Sequence, residues 1–340
     1  MDFMAIHKIK SGRQILAVIA LIVWLPAWLG ACTESPPAGP VLLSPTPAAL
    51  PTPSETSMTE TPFRVIAYVT GGIIPELIPY QRLTHINYAF LIPNADGSFA
   101  PFSNAWKLKK IAADGHQAGV KVLISVGGWG WDEQFETMAA DPACRTAFVK
   151  NLVSFIDENN LDGADIDWEY PDPGGSALNF LMLIQELRLA MPYKLLTAAV
   201  VSYGETGEGV PEETFGLFDF INVMTYDGPD HGTLEQFQAG LDYWQGRGLP
   251  KGKTVMGVPF YARPSELPYR KIVESDSQAA YSDTIEYNGA TNAYNGIPTV
   301  QEKTRLAMED AGGIMFWTLD HDALNDLSLL KAIDEVVHQP

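Results

Sequence analysis

Cysteine, basic residues and metal-ligand spacings are scarce in this 340-residue sequence. Its two cysteines, Cys32 and Cys144, are too few for a disulfide framework. No HxxxH or CxxC spacing indicates a metal site, so we expect neither a metal nor a cofactor. The 22 basic residues are outnumbered by 41 acidic ones, and the formal net charge of −19 argues against a nucleic-acid-binding face.

Residues 1–31 have the pattern of an export signal. Three basic residues precede an unbroken run of eleven apolar residues, 15–25, which is shorter than the ~20 residues that a membrane span requires. Residues 29–32, Leu-Gly-Ala-Cys, resemble the end of a bacterial lipoprotein signal, in which the cysteine is acylated and becomes the new N-terminus. This resemblance implies lipidation of Cys32 and an exported, membrane-anchored protein at the cell surface. An ordinary secretory signal, and hence a secreted protein, is the alternative.

A tether is predicted over residues 32–62. Residues 33–62 contain eight prolines and ten serines or threonines, with little that could pack. Such a composition is typical of a semi-extended, disordered linker. Residues 63–340 then form the folded part of the chain, which is long enough for one large domain and is expected to be monomeric.

Short β-branched runs alternate with amphipathic stretches from Phe63 onward. Most of the strand candidates are continuously apolar, as parallel strands buried on both faces are. The predicted strands are Arg64–Val69, Thr84–Leu91, Val120–Val126, Gly163–Glu169, Leu195–Val201, Phe220–Tyr226, Thr254–Phe260 and Gly313–Trp317. Eight βα units in a chain of this size predict an α/β fold, a (β/α)8 TIM barrel. A doubly wound sheet is the alternative, although no GxGxxG follows the first strand.

Aromatic and carboxyl side chains follow many of the predicted strands, at the end where a barrel of this kind places its chemistry. They include Tyr68, Phe90, Trp129, Glu169, Tyr226, Asp227, Tyr261 and Trp317. Aromatic rings pack on the apolar faces of sugars, and carboxyl groups bind hydroxyls or act on glycosidic oxygens. The strand ends therefore predict a carbohydrate-binding cleft.

The fourth strand carries three acids in phase. Since side chains alternate along a strand, Asp165, Asp167 and Glu169 point the same way, with α-carbons ~6.6 Å apart for each pair of neighbours. Three carboxyls in one dry column cannot all ionise easily, so at least one pKa is raised and protons are shared. A carboxyl that stays protonated near neutral pH is what a general acid requires. Glu169, the outermost of the three, is the candidate.

Residues 162–171, DGADIDWEYP, resemble the DxxDxDxE signature of glycoside hydrolase family 18, the chitinases and their relatives. Four more segments resemble strand-end motifs of that family: residues 125–129 (SVGGW), 224–227 (MTYD), 257–263 (GVPFYAR) and 313–320 (GIMFWTLD). The similarity spans nearly all of residues 63–340 and implies the same barrel fold.

The resemblance also implies a mechanism, the retaining and substrate-assisted hydrolysis of β-1,4-N-acetylglucosamine linkages in chitin or chitooligosaccharides. Glu169 would protonate the glycosidic oxygen, and the substrate's own acetamido oxygen would attack the anomeric carbon. Asp167 would orient the acetamido group and share a proton with Asp165, while Tyr226 would donate its hydroxyl to the acetamido oxygen.

Substrate-binding positions are likewise implied by the resemblance. They are Tyr68, Phe90, Ser125, Trp129, Met224, Asp227, Tyr261, Arg263 and Trp317. Trp317 is expected to form the floor beneath the reacting sugar and to precede a non-proline cis peptide bond. Ser125 has an alternative role, the support of Asp165 from below. Only about 50 residues separate Arg263 from Gly313, too few for the full α+β module that many processive relatives carry, which favours an open groove and endo-type or short-oligomer cleavage.

Other functions remain open within the same resemblance. An endo-β-N-acetylglucosaminidase acting on N-glycans and a peptidoglycan hydrolase would use the same acids on different substrates. A non-catalytic glycan-binding lipoprotein is the alternative from another class. Such proteins usually lack the glutamate or its supporting aspartate, whereas Glu169 and Asp167 are both present here.

Overall fold

The computed structural model describes residues 62–339. The predicted signal segment 1–31, the predicted lipidation site Cys32 and the tether up to residue 61 lie outside these residues. Within residues 62–339, no helix is both long enough and apolar enough to cross a membrane.

The sheet is a closed barrel of parallel strands. The strands are β1 (Arg64–Val69), β2 (His85–Leu91), β3 (Lys121–Gly127), β4 (Gly163–Asp167), β5 (Leu195–Val201), β6 (Phe220–Met224), β7 (Thr254–Pro259), β8 (Thr284–Tyr287), β9 (Ala290–Ala293) and β10 (Gly313–Trp317). The barrel order is β1-β10-β7-β6-β5-β4-β3-β2, and β8 pairs with β9 in a separate hairpin. Because β1 pairs with both β2 and β10, the sheet has no edge. The predicted (β/α)8 barrel is confirmed, and the doubly wound alternative is wrong.

Eight α-helices surround this sheet in the described part of the chain. They are α1 (Ala105–Gln117), α2 (Asp132–Ala140), α3 (Pro142–Glu158), α4 (Gly175–Ala190), α5 (Leu234–Gly246), α6 (Tyr269–Ser275), α7 (Ile297–Asp310) and α8 (Leu329–Val337). Between β5 and β6 the chain forms two short 3-10 turns, Glu205–Gly209 and Glu212–Thr214, in place of an α-helix.

Side chains on the two faces of the barrel strands enter different cores. Ala164, Ile166 and Trp168 pack into the apolar layer between strands and helices, where the Trp168 ring stacks on Phe135 with centroids 5.1 Å apart. Polar groups on the opposite face of β4, such as Asp165, enter the barrel interior, which also holds a small apolar cluster that includes Tyr68. The period-2 alternation of the sequence therefore sorts apolar groups outward and carboxyls inward.

The segment between β7 and β10 contains a short helix and a hairpin in place of a full module. Asn288 and Gly289 connect β8 to β9 with φ values of 53° and 76°, the left-handed backbone that a two-residue hairpin turn requires. The hairpin is joined to the barrel rim because Arg263 and Ala293 exchange two backbone hydrogen bonds of 2.9 Å. The inserted segment thus supports the rim residue Arg263 without building a deep wall.

Candidate active site

A cavity of about 820 Å³ opens at the C-terminal ends of the barrel strands. The predicted site residues that line it are Tyr68, Phe90, Trp129, Asp167, Glu169, Met224, Tyr226, Asp227, Tyr261, Arg263 and Trp317. The fold thus brings together side chains from seven strand ends that are as much as 249 positions apart in the sequence. Of the predicted site residues, Asp165 and Ser125 do not line the cavity.

Asp165 lies below the cavity and is fully buried. Its Oδ2 accepts hydrogen bonds from the hydroxyls of Tyr68 at 2.9 Å and Ser125 at 2.8 Å. Its Oδ1 accepts from Thr197 Oγ1 at 2.6 Å and from Asn222 Nδ2 at 3.1 Å. Burial raises the pKa of the Asp165 carboxyl, and these four donors oppose the rise.

One prediction needs correction at this level of the barrel, and another stays open. Ser125 is fully buried and donates to Asp165, so it has the alternative role, a support from below, and not that of a substrate-binding residue. No hydrogen bond joins Asp165 to Asp167 among the described residues, where hydroxyl and amide groups donate to both oxygens of Asp165, and the sharing of a proton between the two acids stays a prediction. The influence of Asp165 on Asp167 is therefore electrostatic.

Asp167 and Glu169 form the acidic wall of the cavity. Asp167 is buried, and its Oδ1 has no hydrogen-bond partner among residues 62–339. Burial, the charge of Glu169 and the charge of Asp165, in that order, raise the pKa of Asp167 well above its ordinary value. Burial also raises the pKa of Glu169 to about 7, against a hydrogen bond with Tyr170 that lowers it. One carboxyl of this pair is therefore neutral near pH 7, and it can act as an acid.

Glu169 does not lie in the strand itself. The sequence predicts a strand through Glu169, whereas β4 ends at Asp167. Glu169 is followed by a cis peptide bond to Tyr170, and a second non-proline cis bond joins Trp317 to Thr318, where one was expected. Glu169 and Trp317, which precede these two cis bonds, line the same cavity.

The Tyr226 hydroxyl is directed into the cavity with one weak neighbour, Met315 Sδ at 3.9 Å. A thioether sulfur is a poor acceptor, so this hydroxyl is available to a ligand. Burial raises the pKa of Tyr226 well above its ordinary value, with further contributions from Tyr261 and nearby carboxylates. The group therefore stays protonated and can donate.

Trp317 forms an aromatic platform inside the cavity. Its ring is stacked on Phe90, with centroids 5.4 Å apart and an angle of 17° between the planes. Tyr68 supports it at a centroid distance of 5.8 Å. Trp129 lies further out and is 78% exposed. A flat indole held by two other rings suits the apolar face of a sugar.

Asp227 anchors the opposite side of the cavity. Its Oδ1 accepts hydrogen bonds from Tyr261 Oη and from Arg263 Nε, each at 2.6 Å. Burial alone would raise the pKa of Asp227, but hydrogen bonds and the Arg263 charge hold it well below its ordinary value. Asp227 is therefore a charged acceptor, in contrast to the acids on β4. Arg263 also pairs with Glu266 at 2.5 Å.

Sequence reasoning missed several residues of the site. Glu266 and His321 also line the cavity, and Thr197 and Asn222 hold Asp165. The last two had a signal, since each is a polar residue at an inward-facing position of an otherwise apolar strand. Glu266 and His321 follow strand ends in loops whose course the sequence does not reveal. Among the described residues, no group of His, Cys, Asp and Glu is placed to hold a metal ion.

Two of the curated proteins that are similar to this chain carry the name endochitinase or probable endochitinase. The chain is 30% identical over 295 residues to an endochitinase of Manduca sexta, which covers 71% of this chain and 51% of that protein. It is 27% identical over 333 residues to a probable endochitinase of Caenorhabditis elegans, covering 74% of this chain and 54% of that protein. The chain thus spans about half the length of these two curated relatives.

Solved structures match the barrel over nearly their whole length. A chitinase from Bacteroides thetaiotaomicron is 28% identical, with a TM-score of 0.74, and the match covers 82% of this chain and 97% of that one. A chitinase from the chitin utilization locus of Flavobacterium johnsoniae is 27% identical, with a TM-score of 0.70 and coverages of 82% and 94%. Residues 64–322 match the profile of glycosyl hydrolases family 18. This match covers more than half of the chain, and the chain therefore belongs to that family, as its strand-end motifs predicted.

Proposed function

We propose that this protein hydrolyses β-1,4-N-acetylglucosamine linkages in chitin or chitooligosaccharides, with retention of configuration and with assistance from the substrate. The observation that carries the proposal is the acidic wall of the cavity, where burial raises the pKa of Glu169 to about 7 beside the buried Asp167. The similarity to proteins named chitinases supports the choice of substrate.

In the first step Glu169 gives its proton to the glycosidic oxygen as the bond to the anomeric carbon breaks. The acetamido oxygen of the same sugar forms the new bond to that carbon, which produces an oxazolinium ion and releases the leaving saccharide as an alcohol. Because this nucleophile is already part of the bound sugar, it acts at a high effective concentration. Asp167, whose Oδ1 lacks a partner in the described structure, accepts the acetamido N–H and stabilises its growing positive charge.

In the second step water attacks the anomeric carbon from the side that the leaving group vacated. Glu169, now ionised, takes a proton from that water, and the acetamido group is restored. Two inversions at one carbon give net retention. Tyr226 donates to the acetamido oxygen, a role that suits a hydroxyl whose hydrogen-bond partner among residues 62–339 is a thioether sulfur, that of Met315.

Aromatic groups set the position of the sugar chain. Trp317 lies beneath the reacting ring, and Trp129 at the rim contacts a sugar further along the polymer. Asp227, Tyr261 and Arg263 bind hydroxyl or acetamido groups from the opposite side. The short segment between β7 and β10 leaves the groove open, which favours endo-type or short-oligomer cleavage.

Product analysis on three substrates tests the choice of polymer. Chitin oligomers, a high-mannose glycopeptide and peptidoglycan are each incubated with the protein, and the products are identified by mass spectrometry. We expect cleavage of the chitin oligomers, with the β-anomer formed first in a proton NMR time course. Cleavage of the glycopeptide alone or of peptidoglycan alone would assign the acids to one of the alternative substrates, and initial formation of the α-anomer would contradict retention.

Substrate assistance has its own test. A thiazoline mimic of the oxazolinium ion should bind with micromolar or better affinity, since ligands that resemble an intermediate bind tightly. Fully deacetylated chitosan lacks the nucleophile and should resist cleavage, despite its attraction to an acidic protein. Absence of thiazoline binding, or efficient cleavage of the acetyl-free polymer, would argue for a different mechanism.

We also propose that the mature chain is exported, lipidated at Cys32 and monomeric. The support is the sequence of residues 29–32 and the apolar run before it. Metabolic labelling with a radioactive fatty acid should label the wild type and not Cys32→Ser. An unlabelled wild type released to the medium would favour the secretory alternative.

A further inference from the structure

A lysine on α7 is buried and forms no ion pair with another residue of 62–339. Lys303 is fully buried, on the apolar face of the helix between Val300 and Ala307. Its Nζ donates to the Gly232 carbonyl at 2.6 Å and to Asn295 Oδ1 at 2.8 Å. Burial lowers the pKa of the Lys303 amine to about 7, and the charges of Asp283 and Glu235 oppose this only in part. Burying an amine without a counter-ion is unfavourable, so the hydrogen bonds of Lys303 must offset this cost.

The Gly232 carbonyl belongs to the turn that follows β6. Asn295 Nδ2 donates to the same carbonyl at 2.7 Å, so two side chains from beyond the hairpin converge on one backbone atom. Gly232 has a φ of 69°, and a β-carbon at this position would lie 3.0 Å from Asn295 Nδ2 and 3.1 Å from Pro259 Cγ. The left-handed backbone and the close approach together require glycine here.

The other end of this turn is Asp227. Gln236 joins the two ends, since its Oε1 accepts from the Gly232 N–H at 3.0 Å and its Nε2 donates to the Asp227 carbonyl at 2.8 Å. His231 Nδ1 accepts from the Asp227 N–H at 3.0 Å, and its Nε2 lies 3.2 Å from the Tyr261 carbonyl. Asp227 itself has a φ of 63°, a left-handed conformation that is uncommon for a residue other than glycine.

We propose that Lys303 is a positioning residue for the cavity: by fixing the Gly232 carbonyl, it holds the turn that presents Asp227 to the saccharide. The two N–H bonds of a neutral amine match the two acceptors, so the interaction does not need the charged form. Lys303 touches no part of the cavity lining itself and acts through the turn. The inference rests on the proposed function to the extent that Asp227 is a substrate-binding group.

Hydrogen exchange tests the positioning without any assay of activity. Lys303→Met keeps the apolar stem and removes both hydrogen bonds. The matched control is Lys253→Met, because Lys253 Nζ also caps two backbone carbonyls, those of Phe215 and Phe218, at the opposite end of the barrel. We expect amides of residues 227–233 to exchange at least ~10-fold faster in Lys303→Met and at the wild-type rate in Lys253→Met. Unchanged exchange of that turn in folded Lys303→Met would overturn the proposal.

Asn295→Ala provides a second variant if Lys303→Met does not fold. It removes one of the two donors to the Gly232 carbonyl and one of the two acceptors of Lys303, while the lysine keeps its own bond to that carbonyl. We expect faster exchange in the same turn by a smaller factor, ~3-fold, because one donor remains. Wild-type exchange in this variant would contradict the claim that this carbonyl holds the turn.

Steady-state kinetics test whether the turn that Lys303 holds affects catalysis through Asp227. Lys303→Met should lower kcat/KM for a chitin oligomer ~10-fold, chiefly by raising KM. In a double-mutant cycle, Lys303→Met should lower kcat/KM little further when Asp227→Asn is already present. If Lys303→Met instead caused a general loss of structure, its full effect on kcat/KM would add to that of Asp227→Asn. Additive effects would overturn the proposed route. If the wild type hydrolyses none of the saccharides, the proposed function fails, and the exchange experiment still decides the positioning role.

Discussion

Asp162 and Asp167 lie on one six-residue stretch of chain but at opposite ends of β4, in opposite surroundings. Asp162 precedes the strand and accepts hydrogen bonds from the Val122 N–H at 2.8 Å, Lys121 Nζ at 2.9 Å and His116 Nε2 at 2.7 Å. Although burial opposes it, these partners lower the pKa of Asp162. The carboxylate is thus charged, fully partnered and joined to three groups that it stabilises.

Asp167 has the reverse description. It is buried, one of its oxygens lacks a partner in the described structure, and its pKa is raised by burial, Glu169 and Asp165. Such an arrangement weakens the folded state unless a ligand completes it. The acids of one motif therefore have different roles according to their position along the strand. The acid at the lower end of the barrel stabilises the fold, and those at the upper end keep unsatisfied groups for a substrate.

The largest effect should come from Glu169→Gln at the upper end. Removal of the general acid should lower kcat on a chitin oligomer by ~10³-fold or more, while oligosaccharide binding survives, because the amide keeps the shape of the acid. Steady-state kinetics and calorimetric titration measure the two quantities. Hydrolysis at the wild-type rate would exclude Glu169 as the acid, and a wild type that binds but never turns over would favour a glycan-binding protein.

The two aspartates provide a direct contrast. Asp167→Asn should lower kcat ~10²- to 10³-fold with little loss of stability, since it removes a group that orients the acetamido function. Asp162→Asn should reduce the free energy of unfolding by about 1–3 kcal/mol and leave the kcat of the folded enzyme near wild type. Urea denaturation and kinetics on both variants check this. The contrast between the two ends of β4 would be wrong if Asp167→Asn mainly lost stability and Asp162→Asn mainly lost activity, or if both variants lost the same property.

The raised pKa of Glu169 has a consequence for stability. Its ordinary value is 4.5, and its value in the fold is about 7, so between these pH values the folded protein binds more protons than the unfolded chain. Stability therefore falls as pH rises through this window, by roughly 3 kcal/mol in total. Glu169→Gln should remove that loss, which makes the variant more stable than wild type at pH 8 and no more stable at pH 4. A stability difference that is independent of pH would contradict the assignment.

Trp129 should show the smallest effect. Because its ring is 78% exposed at the rim, Trp129→Ala should raise KM ~3- to 10-fold for polymeric substrate and change little for the shortest cleaved oligomer. The exposed Trp106 on α1, which does not line the cavity, provides the control as Trp106→Ala. An equal loss on long and short substrates would place Trp129 closer to the reacting sugar than its exposure indicates.

Much of the barrel could be predicted because its signals are local. Apolar runs bounded by turn residues predict β1, β5 and β10 with the limits that are observed. Period-2 alternation correctly predicts that Asp165 and Asp167 point to the interior of the barrel. The end of β4 was predicted two residues too late, because the acids continue in phase beyond the last backbone pairing. The hairpin β8–β9 was missed, since its exposed strands lack the apolar pattern of the barrel strands.

The site was predictable where a residue follows a strand and less so where it depends on tertiary packing. Trp317 ends β10 and Tyr226 follows β6 by two residues, whereas His321 and Glu266 reach the cavity through loops. The support of Asp165 by Ser125 depends on the register between β3 and β4, which pairs these two residues directly. Lys303 carried no sequence signal of a site, because a lysine on a helix usually faces solvent.

The decisive measurement is a titration of the Glu169 side chain, because the proposed chemistry requires this carboxyl to hold a proton near pH 7. With ¹³C-labelled glutamate, the carboxyl signal that is absent from Glu169→Gln belongs to this residue, and its chemical shift can be followed from pH 3 to pH 9. We expect the chemical shift of Glu169 to have its midpoint near pH 7, with a smaller inflection where Asp167 titrates. A single midpoint near the ordinary value of 4.5 would show an ionised carboxylate at neutral pH and would contradict the role of Glu169 as the acid.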